Sequence, residues 1–154
     1  MTMPALRLIF SRSRSLGAVV IRAGAWWGQW SHCGIVLPDG RVVESLALKG
    51  GVVLSDLNDV VQRSSVSQLG HLPCPAPEYA HEWALSTVGQ PYDWGGVFGI
   101  PFRKRDWQAP GRWYCSEHCA AAVERAGVTL VRPGVHGIHP DTLHALAWAA
   151  GARP

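Results

Sequence analysis

Apolar positions in the first half of the chain come in short runs broken by turn residues, which is the pattern of β-strands. One run at 5–10 predicts a short strand, and two further runs at 33–37 and 41–45 are separated by the sequence Pro-Asp-Gly at 38–40. A turn sequence of this kind between two apolar runs is typical of a β-hairpin. A third run at 51–54 is expected to extend the same antiparallel sheet.

Longer segments, most of them in the second half of the chain, predict helices. The pattern predicts helices at 13–23 and at 77–88, a helix that starts at Cys115, and a last helix from Asp141. Strand-like and helix-like segments are therefore expected to share one α+β fold.

Three remaining segments have weaker patterns. Residues 71–77 are predicted to form a strand, and residues 56–68 fit either a loop or a short helix. Residues 89–111 are rich in glycine and basic side chains and are expected to form a long loop. Loops of that length inside a compact domain tend to be functional.

The composition is that of one globular domain, at 1–154. Of the 154 residues, 47% are hydrophobic and 16% charged, which suffices for one hydrophobic core. The chain is too short to expect two domains. The net charge of +3 is modest, so no nucleic-acid partner is expected from composition. The longest apolar stretch, 16–27, is interrupted by Arg22 and Gly24 and is too short to span a bilayer.

Cysteine usage indicates a reducing compartment. The four cysteines are irregularly spaced, and the start of the chain lacks the charged region, long apolar region and cleavage site of a signal peptide. A cytoplasmic location is the default expectation. Nothing in the sequence fixes the oligomeric state.

Cys115 stands where an aromatic pair meets an alanine-rich helix. In the stretch RWYCSEHCAAAVERAG, the residues after Ser116 build an apolar helical stripe that ends at Gly127. A thiol in the first turn lies near free N–H groups and the positive end of the helix dipole, which lower its pKa and favour the nucleophilic thiolate. Cysteine is also among the most buried residue types, so simple packing is the competing interpretation.

A thiol nucleophile needs a general base, and that base needs a polar partner to orient it. His32 opens the first strand of the hairpin and Glu44 lies in the second, while the turn is expected to pair residues near Val36 and Val42. This register brings His32 within about one residue of the position that faces Glu44. Because a carboxylate in an apolar strand requires a partner, His32 is predicted to bond Glu44.

Several motifs together resemble the NlpC-type branch of the papain-like cysteine peptidases. GQPYDWGG at 89–96 and YCSE at 114–117 are similar to that family's G-x-P-Y-x-W-G-G and D-C-S-G signature. Here SHCGIVL precedes YCSE, whereas the main branch has the cysteine helix first. The inverted order resembles the circularly permuted branch and the relatives of lecithin:retinol acyltransferase, and HPDTL at 139–143 is similar to their P-D-x-L segment.

The resemblance implies a fold and a catalytic set. The fold would be a permuted papain-like α+β domain, in which a small antiparallel sheet packs against the helix that bears the cysteine. Cys115 would be the nucleophile, His32 the base and Glu44 the orienting acid, with no metal and no cofactor. The backbone N–H of Cys115 would serve as an oxyanion donor.

The resemblance also implies a reaction and a substrate class. The protein would be a cysteine peptidase or amidase, which forms an acyl thioester and releases it to water. The expected substrates are peptides of the cell-wall, peptidoglycan type, and the source would be a bacterium or its phage. Tyr92, Tyr114 and Ser31 are assigned to the substrate or oxyanion region, with Tyr92 matching the family tyrosine that lines the cleft.

Two alternatives use the same residues differently. Release of the acyl group to an alcohol or amine would make the protein an acyltransferase or transpeptidase. A metal site is also conceivable from Cys115, His118 and Cys119, with His136 or His139, although C-x-x-H-C does not match the two-pair zinc pattern. In the catalytic interpretation, His118 is expected to point away from Cys115.

A binding module for an anionic polymer is the third alternative. Basic and aromatic residues are interleaved in the way that suits nucleic acid at Arg103, Lys104, Arg105, Trp107, Arg112 and Trp113. A solvated loop of no specific function has the same composition. In the catalytic interpretation this loop would border the cleft and select the substrate.

Overall fold

The computed structural model describes residues 3–13, 28–99, 110–130 and 138–154 of the chain. Within these ranges the fold is α+β, with five antiparallel strands in one sheet and five helices around it. The predicted helix at 13–23 lies outside the described residues except for Ser13, which ends a strand.

The sheet has the spatial order β4-β3-β2-β1-β5, and each pair of neighbours is antiparallel. The strands are β1 (Ala5–Ser13), β2 (His32–Val36), β3 (Arg41–Leu46), β4 (Gly51–Asp56) and β5 (Ser64–Pro73). β4 and β5 are therefore the two edges, and β2 lies in the middle.

Five helices and one 3-10 turn accompany the sheet within the described ranges. They are α1 (Leu57–Gln62), α2 (Pro77–Ser86), α3 (Trp94–Gly99), α4 (Cys115–Arg125) and α5 (Pro140–Ala149), with a 3-10 turn at Ala47–Lys49. Both α2 and α5 begin with proline, which suits the first turn because its missing N–H has no helical partner. In the described part of the chain, every helix is too short or too polar to cross a bilayer.

The predicted hairpin is confirmed, with the predicted register. Val36 pairs with Val42 on either side of the turn, and Gly40 adopts the left-handed conformation that the turn requires, with φ of 86°. The third apolar run is also confirmed, because β4 pairs with β3 along its whole length. The helix that begins at Cys115 is observed as α4.

The sheet extends further than the sequence predicted. β5 pairs along nearly the whole of β1, whereas only residues 71–77 were expected to form a strand. The first residues of β5 are mostly exposed or half-buried because this strand is an edge, so they lack the apolar alternation that reveals a strand. The ambiguous segment 56–68 is α1 followed by the start of β5, and the predicted loop at 89–111 contains α3.

Helices cover the two faces of the sheet unequally. One face packs on α2, α4 and α5 and contributes Leu6, Leu8, Phe10, Cys33, Ile35 and Val43 to the main core. The other face carries a smaller cluster, in which Ile9, Val36 and Val42 pack on Val60 of α1. The sheet thus separates α4 on one side from α1 on the other.

Residues 89–93 continue the sheet beside the start of β4. The Gln90 carbonyl accepts a hydrogen bond from the N–H of Val52 at 2.9 Å. The same segment then pairs with Trp113, whose N–H donates to the Pro91 carbonyl at 3.1 Å. This pairing fixes the position of the chain just before α4.

Gly51 leaves the space through which this segment approaches β4. A Cβ at position 51 would lie 2.1 Å from the carbonyl oxygen of Gln90, a backbone atom that cannot rotate away. We expect Gly51→Ala to lower the free energy of unfolding by about 3 kcal/mol, because the segment and β4 must move apart. Urea denaturation of the two proteins measures this loss.

Gly40→Ala is the matched control. Gly40 lies in the hairpin turn with nothing within 4 Å of an added Cβ, so only its left-handed backbone is penalised. That penalty is about 1 kcal/mol. Equal losses in the two variants would contradict the close approach at Gly51.

Candidate active site

β2 and β3 pair over only a short length. Their register joins Ile35 to Val43 and Val36 to Val42, whereas β3 pairs with β4 throughout. If the pairing continued by one more step of the ladder in the same direction, Cys33 would bond with β3. Residues at the start of α4 lie instead beside Cys33, where β3 would otherwise continue the pairing.

The start of α4 occupies the gap between the two strands. The N–H of Leu37 donates to the carbonyl of Arg41 in β3 at 2.8 Å. Because alternate amides of a strand point the same way, the N–H of Cys33 points into the gap. That N–H bonds to the sulfur of Cys115. From the other strand, Ser45 Oγ donates to the carbonyl of Trp113 at 2.6 Å. The helix start is therefore held by both strands.

His32 and Glu44 meet diagonally across the hairpin. His32 Nε2 and Glu44 Oε2 are 2.6 Å apart. Extending the observed register places Glu44 opposite Gly34, so the offset is larger than the sequence predicted. A Cβ at Gly34 would lie 3.3 Å from the Cβ of Glu44, so the glycine leaves the diagonal open for the two side chains.

Three side chains hold the fully buried carboxylate of Glu44. His32 contacts it from β2, and Ser55 of β4 donates a hydrogen bond. Arg63, the C-cap residue directly after α1, donates from Nη2 to both carboxylate oxygens. The side chain of Arg63 is 38% exposed, so this end of the site reaches solvent.

The pKa values of His32 and Glu44 are shifted in opposite directions. Burial works to raise the pKa of Glu44, but the hydrogen bonds from His32 and Arg63 prevail and lower it to about 2. Burial works to lower the pKa of His32, but its bonds to Cys115 and Glu44 prevail and raise it to about 10. Both shifts favour the charged forms, so an imidazolium faces a carboxylate near neutral pH.

The pKa of Cys115 is lowered well below its usual value. A hydrogen bond from the thiol of Cys33 is the largest cause; desolvation opposes it, and the bond and charge of His32 add to it. The pKa of Cys33 is itself raised, by burial and by the neighbouring Cys115 and Cys119, so its thiol keeps the proton that it donates. Cys115 is thus a thiolate beside an imidazolium.

The helix start adds to this effect. α4 begins at Cys115, and its N-cap Tyr114 has extended backbone angles and makes no side-chain capping bond. The N-terminal amides and the positive end of the helix dipole therefore lie beside the sulfur. Glu44 bonds Nε2 of His32, so Nδ1 is the ring nitrogen that bonds Cys115.

The residues assigned to the substrate or oxyanion region are buried near Cys115 and His32. Tyr92, Tyr114 and Ser31 are 4%, 1% and 2% exposed. Ser31 Oγ accepts from the N–H of Ser13 at 2.9 Å and so ties the end of β1 to the residue before His32. Burial, and then the charge of the nearby cysteine thiolate, raise the pKa of Tyr92, which keeps its phenol neutral. Contact of the three with substrate stays a prediction.

Access to the sulfur is narrow. Cys115 and His32 are only 3% and 9% exposed. The half-exposed Trp94 lies next to Tyr92, with ring centroids 5.0 Å apart. Another molecule reaches the sulfur only if the side chains around it move apart.

His118 points away from Cys115, as expected. Its Nε2 lies 2.7 Å from Thr87 Oγ1, and its ring stacks on Trp83 at 5.1 Å. Burial lowers its pKa to about 4. Across the described ranges, no group of three or more His, Cys, Asp or Glu side chains is arranged to hold a metal ion. His136 lies outside these ranges.

The basic and aromatic segment is only partly described. Residues 103–107 lie outside the described ranges. Trp113 packs edge-on against Trp83, with centroids 5.2 Å apart, and its Nε1 donates to Gln90 Oε1 at 2.5 Å. Trp113 is therefore held in the fold, while Arg112 is exposed.

Sequence reasoning missed three neighbours of the Cys115–His32–Glu44 row, namely Cys33, Ser55 and Arg63. Arg63 lies in the segment whose structure the sequence left ambiguous, and no motif surrounds it. Cys33 directly follows His32, and this adjacency was the available signal. Its thiol and its amide both bond to Cys115.

The geometry defines an α+β protein with a thiol, an imidazole and a carboxylate in one row. No family model matches the sequence, and none of the curated proteins matches it. Among solved structures, the chain is similar to the crystal structure of the metalloprotein yiiX from Escherichia coli O157:H7, with a TM-score of 0.60 and 20% identity, covering 86% of this chain and 71% of that one. This likeness shows a shared fold and does not extend to activity.

Glu44 stabilises the folded state in a pH-dependent way. Its pKa falls from 4.5 to about 2 on folding, so its contribution is fully present above the unfolded value and is lost as the pH falls toward the folded one. We expect the wild type to lose on the order of 3 kcal/mol across this window, and Glu44→Gln to lose much less. Urea unfolding at several pH values measures, for each protein, how steeply the free energy of unfolding changes with pH.

Asp39→Asn is the control for a general loss of carboxylate charge. Asp39 pairs with Arg41 on the surface, where half of its side chain is exposed, so its removal should leave the slope nearly unchanged. Parallel slopes for the wild type and Glu44→Gln would show that Glu44 is not the group responsible.

Proposed function

We propose that the protein is a cysteine hydrolase that cleaves an amide bond through an acyl thioester on Cys115. The observation that carries the proposal is the position of His32, which bonds the sulfur of Cys115 on one side and Glu44 on the other. A nucleophile, a base and an orienting carboxylate in this order are what acyl transfer requires. We also propose that the domain is the permuted papain-like fold that its motifs resemble.

The first half-reaction forms the acyl enzyme. The thiolate of Cys115 attacks the carbonyl carbon, and a carbon–sulfur bond forms as the carbonyl π electrons move to oxygen. The tetrahedral intermediate collapses when the imidazolium of His32 gives its proton to the leaving amine. The carbon–nitrogen bond breaks, and the acyl group stays on sulfur as a thioester.

The second half-reaction releases the acid. Neutral His32 takes a proton from water, and the resulting hydroxide attacks the thioester carbon. The carbon–sulfur bond breaks, the thiolate of Cys115 is restored, and His32 is again an imidazolium. Glu44 keeps the imidazole ring in one orientation throughout, because it holds Nε2.

The start of α4 suits the oxyanion. The backbone N–H of Cys115 lies at the positive end of the helix, where it can donate to the carbonyl oxygen as charge develops there. One such donor is typically worth about 3 kcal/mol in the transition state. The neutral phenol of Tyr92 is the proposed neighbour of the substrate on this side.

The proposed substrates are peptides, and the resemblance to cell-wall peptidases favours those of the peptidoglycan type. Transfer to an amine instead of water would use the same thioester. A labelled acyl substrate, offered water and an amine in competition, separates the two outcomes by the product formed.

The structural neighbour yiiX is described as a metalloprotein, so metal dependence needs its own test. In this chain the charged groups of the proposed reaction are a thiolate, an imidazolium and a carboxylate. No step of that reaction requires a metal. Turnover after dialysis against a chelator should equal that of the untreated protein. Loss of turnover that zinc restores would favour the metal-site alternative.

Selective labelling tests the nucleophile without a substrate. We expect iodoacetamide to modify one thiol per chain near pH 7, and peptide mass mapping to place it on Cys115. The thiolate is present there because His32 and Cys33 lower the pKa of Cys115. Cys33, Cys74 and Cys119 are fully buried, and the pKa values of Cys33 and Cys74 are raised, so these thiols should be spared.

His32→Ala is the control for this labelling. It removes the positive charge and should slow modification of Cys115 near neutral pH by about tenfold or more. Comparison of iodoacetamide with a bulky maleimide measures how far the narrow access excludes reagents. Equal labelling of all four thiols would contradict the assignment of Cys115.

Substitutions in the row test catalysis. We expect Cys115→Ala and His32→Ala to abolish hydrolysis of a peptide substrate while circular dichroism shows an intact fold. Glu44→Gln should retain a rate reduced by about a hundredfold, because the imidazole loses its orientation and its counter-charge. Wild-type turnover in Cys115→Ala would sink the proposal.

A further inference from the structure

Arg63 lies at the end of α1, on the face of the sheet opposite to α4. Its N–H closes the last turn of α1 by bonding the Asp59 carbonyl at 3.1 Å, so its backbone is fixed by the helix. From there the side chain enters the sheet face and ends at Glu44. Its outer part remains in contact with solvent.

The guanidinium fixes the orientation of the carboxylate. Nη2 of Arg63 bonds Oε1 and Oε2 of Glu44, while His32 bonds Oε2 alone. A carboxylate held only by His32 could rotate about its last side-chain bond, and the imidazole would then lose its anchor. The contact at Oε1 blocks that rotation.

The guanidinium also balances charge. Glu44 is fully buried, and a buried carboxylate without enough partners takes up a proton. His32 faces it from β2, Arg63 from the end of α1, and the neutral hydroxyl of Ser55 from β4. With Arg63 in place, the carboxylate keeps its charge even when the imidazole is neutral.

We propose that Arg63 is a positioning residue for the reaction, which acts through Glu44 to keep His32 oriented and charged. Arg63 lies on the far side of Glu44 from Cys115, so it does not touch the reacting atoms. This inference rests on the proposed function, since it assigns Arg63 a part in the same row.

The test is the pH dependence of Cys115 alkylation by iodoacetamide in the folded protein. Removing the guanidinium raises the pH at which Glu44 takes up a proton, and protonated Glu44 no longer supports the imidazolium. The acid limb of the profile is the pH range in which alkylation slows as the pH falls. It should therefore move to higher pH in Arg63→Met, by about one unit. Below the limb, this shift is about a tenfold slower alkylation.

Two variants separate this role from general effects. Arg63→Lys keeps the charge and should move the limb less than Arg63→Met does. Arg41→Met removes a guanidinium that pairs with Asp39 beside the hairpin turn, and should leave the limb where it is. If Arg63→Met does not fold, Arg63→Gln carries the same comparison, with near-ultraviolet circular dichroism to verify the fold.

A double substitution shows whether Arg63 acts through Glu44. In a Glu44→Gln background, Arg63→Met should cause no further shift, because the group that it supports is gone. An undiminished shift there, or an unchanged limb in folded Arg63→Met, overturns the inference. If wild-type Cys115 is itself unreactive near neutral pH, the proposed function fails instead, so the two failures are distinguishable.

Discussion

The site depends on a buried row of alternating charges. A single ion placed inside a protein costs several kcal/mol in lost hydration, so each charge requires an opposite one at bonding distance. The thiolate of Cys115 faces the imidazolium of His32, which faces the carboxylate of Glu44, which faces the guanidinium of Arg63. The row is neutral as a whole, and only its last member is well exposed. Removing an inner member takes a counter-charge away from each of its neighbours, which is why geometry and protonation are coupled along the row.

The fold supports this row by interrupting its own sheet. β2 and β3 pair near the turn and then give way to the start of α4, which receives an amide from Cys33 and a hydroxyl from Ser45. The sulfur consequently lies at the end of β2, beside the amide of Cys33 and the imidazole of His32. The segment at 89–93 pairs both with the start of β4 and with Trp113, and so fixes the chain two residues before α4.

The parts of the fold that the sequence predicted are those with strong local signals. The hairpin was readable because its turn and its apolar runs are adjacent, and α4 because its alanines repeat at helical spacing. β5 was not, because an edge strand needs no buried alternation and gains its order from pairing with β1. The contact of His32 with Glu44 followed from the register, but its diagonal offset did not, since it depends on Gly34. No sequence pattern indicates the contact of Arg63 with Glu44, because it arises from tertiary structure alone.

Three thiols lie together in this core, yet only one is arranged to react. Cys33, Cys115 and Cys119 are all buried, so burial cannot distinguish them. Cys115 alone combines the helix start, the imidazolium and two donors from Cys33, and each of these favours its thiolate. The same contacts have the opposite effect on Cys33, because an anion beside it makes its own ionisation costlier. A neighbouring thiol that remains protonated therefore stabilises the thiolate of Cys115. The low pKa of Cys115 is therefore a property of the hydrogen bonds from Cys33 and of the charge of His32.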